Sequence, residues 1–320
     1  MYSIGLDISK STINVYVPYN DLDLVIENSL KGIKTLYSKL KKQYKKELDK
    51  LVFVYEPTAN YSFLLKQFCA NQNIKSFIVN PKKSSNFAKV MGHRNKNDIN
   101  DARLLSKMIL TAKEEEIKVP VIDAIKEEIK ELIGCYKLII KQQVQIKNHI
   151  STLKIKGSSI KELELQYHFL KKQEEKIIAK IVILITQNKE LYQAFLNIQT
   201  IKGIGKISAI VLLCHFIHYP KANQRQIVSL AGLDPIEKTS GTSVKGKTRI
   251  SKAGSKMCRA SLFMPMMVAI QHNERLKEFY NKLKEKGKHT TVAQIAVMRK
   301  MIVIAHALYK NNESYNLEKI

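Results

Sequence analysis

The chain of 320 residues carries 54 Lys plus Arg against 28 Asp plus Glu, a formal charge of +26 with a pI near 9.7. That length predicts about two domains with enough chain to bury a core, and that charge points to a polyanionic partner, most simply nucleic acid. Four scattered cysteines (Cys69, Cys135, Cys214, Cys258) without a C-x-x-C pair fit neither a disulfide framework nor a zinc site. The apolar runs at residues 177–185 and 207–217 are too short or too interrupted to span a bilayer, and no signal peptide precedes Asp7, so a soluble, cytoplasmic protein is expected.

Residues 1–9 alternate, with Tyr2, Ile4, Leu6 and Ile8 on one face and Ser3, Gly5, Asp7 and Ser9 on the other. This is a strand whose single acid points away from its apolar side. Residues 12–17 and 22–28 read as two more strands, joined by a turn at Pro18-Tyr19-Asn20-Asp21. A helix over 30–47 follows, then the continuous apolar run Leu51-Val52-Phe53-Val54-Tyr55, as expected of a strand buried on both faces, ending at Glu56-Pro57. Residues 61–70 read as helix and 75–80 as strand, and Pro81 opens the next helix at the position proline favours. Three antiparallel-type strands followed by α/β alternation predict a mixed sheet covered by helices.

If Lys96-Asn97-Asp98-Ile99-Asn100-Asp101-Ala102-Arg103-Leu104-Leu105 is helical, Asp98 and Asp101 share one face while Leu104 and Leu105 turn toward a core. Two like charges so spaced destabilise a bare helix by roughly a few tenths of a kcal/mol, so a compensating cation is expected. Should the first and fourth strands be neighbours, Asp7, Glu56, Asp98 and Asp101 meet at one edge. Such hard oxygen ligands suit Mg²⁺, and two ions about 4 Å apart stabilise both sides of a phosphoryl displacement. The plainer alternative makes Glu56 a helix cap and Asp7 a turn acid. Three stretches, Gly5-Leu6-Asp7-Ile8-Ser9-Lys10, Tyr55-Glu56-Pro57-Thr58-Ala59-Asn60-Tyr61 and Lys96-Asn97-Asp98-Ile99-Asn100-Asp101-Ala102, closely resemble the DEDD transposases of bacterial insertion sequences. That family also holds Piv-type DNA invertases and bridge-RNA-guided recombinases. The resemblance implies a ribonuclease-H-like (RuvC-like) domain over residues 1–115 in which those four acids hold Mg²⁺. Ala59 stands where the family often has Gly, a departure that leaves the ligands untouched.

Residues 122–151 place Ile125, Ile129, Leu132, Ile133, Tyr136, Ile139, Ile140 and Val144 at three- and four-residue steps, the mark of a long amphipathic helix. Gly157-Ser158-Ser159 breaks it, and a second helical stretch runs over 160–187. The pair reads as an antiparallel coiled coil, either a solvated spacer or a dimerisation arm, and the resemblance favours the arm. The expected organisation is therefore 1–115, a helical coiled-coil spacer over 116–197, and a mostly helical domain over 198–320.

In that last domain, residues 198–209 look like a helix-hairpin-helix element. Gly203 and Gly205 would let the turn approach a phosphate, the next helix would offer unpaired N–H groups, and Lys202 and Lys206 would add charge. The stretch 240–254 is rich in glycine, hydroxyls and cations, and reads as a phosphate-binding loop. Lys245, Arg249 and Lys252 lie in it, with Arg259 on the helix beyond. Three of the seven arginines, Arg225, Arg249 and Arg259, fall in this neighbourhood, a hint of bidentate phosphate contacts. The same stretch resembles the family's second conserved domain, in which a serine attacks DNA. Matching by motif assigns Ser240, with Ser243 and Ser251 as competitors.

The resemblance implies an insertion-sequence DNA transposase or site-specific recombinase of the bacterial nucleoid. Mg²⁺-assisted attack by Ser240 would leave a covalent phosphoserine–DNA intermediate, with donor and target duplex DNA, a guide (bridge) RNA and further copies of the chain, as dimer or tetramer, for partners. No G-x-x-x-x-G-K-[ST] motif appears, so no ATP site is expected. Two other classes fit the acids: a metal-dependent, structure-specific endonuclease using water, and a non-catalytic nucleic-acid-binding protein.

Overall fold

The computed structural model describes residues 1–58, 60–92, 98–154, 157–237, 239–240, 244–245 and 248–316; of residues 98, 99, 239, 240, 244 and 245 it describes the backbone alone. The chain forms two compact units, Met1–Asp123 and Ala124–Ile320. The two long helices lie in the second of these units.

In the first unit, strands β1 (Tyr2–Ile8), β2 (Thr12–Val17) and β3 (Leu22–Glu27) form an antiparallel meander. Helix α1 (Leu30–Tyr44) begins where Ser29 accepts a hydrogen bond from the Gly32 N–H. Then come β4 (Leu51–Tyr55), α2 (Phe63–Asn71), β5 (Lys75–Ile78), α3 (Pro81–Val90), α4 (Asp98–Lys107) and the two-residue β6 (Ile117–Lys118). The fifth strand stops at Ile78, short of the expected 80, because Asn80 caps α3 by accepting from the Lys82 N–H. Sheet order is β3-β2-β1-β4-β5-β6, with β1, β4 and β5 parallel and β6 antiparallel. The sheet separates two apolar clusters. Ile4, Leu6, Ile8, Phe53 and Tyr55 pack with Ile33, Leu36 and Leu40 of α1 and Leu65 and Phe68 of α2 on one face. Val52, Val54 and Phe77 pack with Leu105 and Met108 on the other. Covered on both sides, all of β4 is buried, as its unbroken apolar run requires.

The second unit opens with α5 (Ala124–Thr152) and α6 (Ser158–Thr186), which run back along each other. Their apolar seam holds one polar layer: the Gln143 side-chain amide donates to buried Glu174 at 2.9 Å, and Lys171 reaches the same carboxylate at 3.2 Å. A slipped register would strand that pair among apolar groups. The hairpin base, with Ile129, Ile133, Ile181 and Ile185, joins the core of α7 (Lys189–Gln199), α8 (Lys206–His218) and α9 (Gln224–Leu230). Among the described residues four two-residue strands follow: β7 (Pro235–Ile236), β8 (Thr239–Ser240), β9 (Val244–Lys245) and β10 (Arg249–Ile250). They lead to α10 (Lys256–His272), α11 (Glu274–Glu285) and α12 (Thr290–Asn311). Helix α8 is apolar nearly all round and is correspondingly enclosed. By length and composition α12 could cross a membrane, but Val297, Met301, Ile302 and Ala305 pack one side of it into this core.

Candidate active site

Gly5 decides where α4 lies. A Cβ built on Gly5 would fall 1.9 Å from the Ala102 carbonyl oxygen and 2.7 Å from the Ser106 nitrogen, so only glycine admits the helix this close to β1. Side chains alternate along a strand, so Asp7 shares the face of Gly5, beneath α4. Parallel pairing sets Leu6 against Tyr55, one residue short of Asp7 and Glu56. Val54 packs with Leu105 on the α4 side, and continuing its alternation puts Glu56 on that face as well. Asp98 is the first residue of α4 and Asp101 lies one turn further on. The positive end of the helix macrodipole therefore helps to offset their mutual repulsion. Asp7, Glu56 and Asp101 are half-buried, while the Asp98 side chain lies outside the described residues, as do Lys96 and Asn97. Among the described residues no three His, Cys, Asp or Glu side chains are gathered into a ready ligand cage. The donor chemistry, carboxylates on one sheet face, fits a hard divalent cation.

Arg103, two residues past Asp101, turns to the β2–β3 hairpin. Its Nη2 lies 2.6 Å from Asp23 Oδ2 and its Nη1 2.9 Å from Asp21 Oδ1, with its Cζ 4.4 Å from the centre of the Tyr16 ring. Hydrogen bonding to Asp23 raises the guanidinium pKa above its usual range. Sequence reasoning missed this clamp, because its partners stand some 80 residues upstream.

In the second unit, the α7–α8 turn leaves Lys202 and Lys206 exposed and Gly205 at the N-cap of α8 without a side-chain cap. Gly203 has φ +101°, and a Cβ there would fall 2.6 Å from the Pro265 carbonyl oxygen, so the turn also needs a glycine here to admit α10. No atom crowds a Cβ built on Gly205, which leaves that glycine open to close approach. Pro265 has no N–H for the Ser261 carbonyl one turn back, and Ser208 on α8 supplies the missing donor at 2.8 Å.

The loop after α9 is a nested hairpin: Arg249 and Ile250 pair with Ile236 and Pro235, and Ser240 and Lys245 belong to an inner pair, Ser240 opposite Val244 and Thr239 opposite Lys245. Ser240 closes β8; its side chain, that of Lys245, and all of Ser243 lie outside the described residues. Arg259, expected on phosphate, has structural work too: its Nη1 donates to the Ala231 and Gly254 carbonyls at 2.9 and 3.0 Å, stapling the hairpin base. Gly232, with φ +68°, passes so near Gly254 that neither has room for a side chain. Ser251 donates its hydroxyl to Asp234, while Arg249 and Lys252 are exposed. The four acids thus belong to the first unit, and Ser240 with the loop cations to the second.

A DEDD transposase model of the IS110 type matches residues 4–154, and the model described as Transposase IS116/IS110/IS902 family matches residues 196–281. Together they take in about three quarters of the chain. Two pilin gene-inverting proteins are similar along nearly the whole length. That of Moraxella bovis is 25% identical and that of Moraxella lacunata 26%, each over 98% of this chain and 97% of the relative. An uncharacterized protein of insertion element IS110 from Streptomyces coelicolor is 26% identical over 35% of this chain and 28% of its own. With both transposase regions matched in order along the chain, it belongs to the IS110-type transposases and recombinases, enzymes that act on DNA.

Proposed function

We propose that this transposase cuts and rejoins double-stranded DNA with a serine nucleophile, Ser240. The serine Oγ attacks the scissile phosphorus; an O–P bond forms, the bond to the 3′ oxygen breaks, and the serine proton ends on the departing 3′ hydroxyl. The strand stays attached as a phosphoserine ester until a free 3′ hydroxyl attacks the same phosphorus and restores the serine. Each step exchanges one phosphate ester for another, so no nucleotide is consumed. Asp7, Glu56, Asp98 and Asp101 are the residues that would hold Mg²⁺, which when bound neutralises phosphate charge and eases loss of the serine proton. Lys202, Gly203, Gly205, Lys206, Lys245, Arg249, Lys252 and Arg259 would carry phosphate contacts. A ribonuclease-H-like first unit, a helix-hairpin-helix at α7–α8, a guide RNA and assembly through the α5–α6 hairpin complete the reading. Its main support is the sheet face shared by Asp7 and Glu56 under the helix that opens with Asp98.

The test is adduct trapping with full-length protein, Mg²⁺ and DNA carrying the element's own junction. A covalent protein–DNA species is expected, lost in Ser240→Ala and in folded Asp101→Asn, with the adduct peptide containing Ser240. Nicking without an adduct would instead identify a water-dependent endonuclease. An adduct on Ser251 would favour a second reading, prompted by its hydrogen bond to Asp234, in which that carboxylate takes the proton. Mixing Asp7→Ala with Ser240→Ala protein restores the adduct only if acids and serine come from different protomers.

A further inference from the structure

Helix α10 turns an unusual face to solvent. Phe263 is 50% exposed, Met264 64% and Val268 39%, with Ile207 of α8 a further 40%, next to the Ser208 that bonds Ser261. Phe263, Met264, Met267 and Val268 follow the one-, four- and five-residue steps of a single helical face, and exposed Lys256 lies on that face nearer the hairpin. Isolated exposed apolar residues are ordinary; a contiguous ridge of Phe and Met marks an interaction surface. The rim says what kind. Lys202 and Lys206 stand on the α8 side and Lys256 and Arg259 on the hairpin side, and the sequence has no Asp or Glu between Glu190 and Asp234 or between Glu237 and Glu274. A symmetric contact between two copies of this face would set those cations against their own images, which disfavours a second copy as occupant.

We propose that this ridge is a wedge for DNA with unstacked bases: Phe263 and Met264 lie against base faces while the rim cations hold the flanking phosphates. Apolar side chains serve nucleic acid in this way only where bases are parted, because a stacked duplex presents backbone and groove edges alone. The ridge begins one turn beyond Arg259, which staples the hairpin that carries Ser240, so it would keep the duplex open beside the strand to be cut. The inference rests on the DNA-binding role proposed for the second unit.

The experiment compares full-length wild type, Phe263→Ser/Met264→Ser and Phe263→Tyr/Met264→Leu on two synthetic probes. One is a fully paired duplex; the other has the same sequence with a short central unpaired stretch carrying 2-aminopurine. Wild type should prefer the unpaired probe by about tenfold or more and change its 2-aminopurine fluorescence. The serine variant should lose both properties yet bind the paired duplex with unchanged affinity and salt dependence, and the Tyr/Leu variant should keep both. Equal preference in wild type and serine variant overturns the proposal, as does a change of sedimenting mass in the serine variant, which would make the ridge a protein interface. Failure of wild type to bind either probe would remove the DNA-binding role itself.

Discussion

Gly5→Ala tests the geometry of the acid-bearing sheet face most directly. The added Cβ would sit 1.9 Å from the Ala102 carbonyl oxygen, about 1.5 Å inside the 3.4 Å at which ordinary contact begins. The obstacle is helix backbone, which cannot swing aside as a side-chain tip can. Helix α4 is also held from its other sides, by Leu105 and Met108 in the apolar cluster and by Arg103 on Asp21 and Asp23. Forcing a methyl into such packing costs about 1–3 kcal/mol, to be read from urea unfolding followed by circular dichroism. The larger effect falls on function. A lift of about 1 Å or more moves Asp98 and Asp101 relative to Asp7 and Glu56, and misplacement on that scale lowers rates by about a hundredfold. Strand cleavage per folded molecule should drop accordingly. Gly134→Ala is the control: beyond its own helix backbone nothing among the described residues crowds its built Cβ, so it should stabilise α5 by about 1 kcal/mol and leave cleavage unchanged. Gly5→Ala protein with wild-type stability and cleavage would refute the seating of α4 on β1 and the site built on it.

Ser208→Ala should cost about 1–3 kcal/mol by leaving the Ser261 carbonyl unpaired, and less in a Pro265→Ala background, where residue 265 regains its N–H; equal costs in a thermal double-mutant cycle would contradict this. Burial lowers the His215 pKa from 6.5 to about 4, so its neutral form stabilises the fold above pH 6.5, and that contribution is lost as pH falls toward 4. Urea unfolding across that span should show His215→Gln losing about 3 kcal/mol less stability than wild type, and identical pH profiles would disprove the assignment. With a formal charge of +26, duplex affinity should fall steeply with salt, and a nearly flat plot of log K against log salt would speak against phosphate contacts as the main source of binding.

Sequence alone determined what depends on one residue and its near neighbours. The period of two in β1 separated Asp7 from Ile4, Leu6 and Ile8, and the unbroken Leu51–Tyr55 run announced a strand covered on both faces. Three- and four-residue steps gave the long helix α5, a second helical stretch was read after the Gly157 break, and the motifs around Asp7, Glu56 and Asp98 pointed to the family that the comparisons support. Tertiary structure decided what depends on pairs of groups far apart in the chain. That β1 and β4 are neighbours, that Gly5 is bare to admit Ala102, and that Arg103 grips Asp21 and Asp23 leave no local pattern in the sequence. Strands as short as β6 to β10 are two residues each, less than one full alternation, and so carry no readable period. The same limit explains Gly203 and Arg259. Their packing partners, the Pro265 carbonyl in one case and the Ala231 and Gly254 carbonyls in the other, come from distant segments, because a glycine or a guanidinium answers to whatever backbone the fold brings against it.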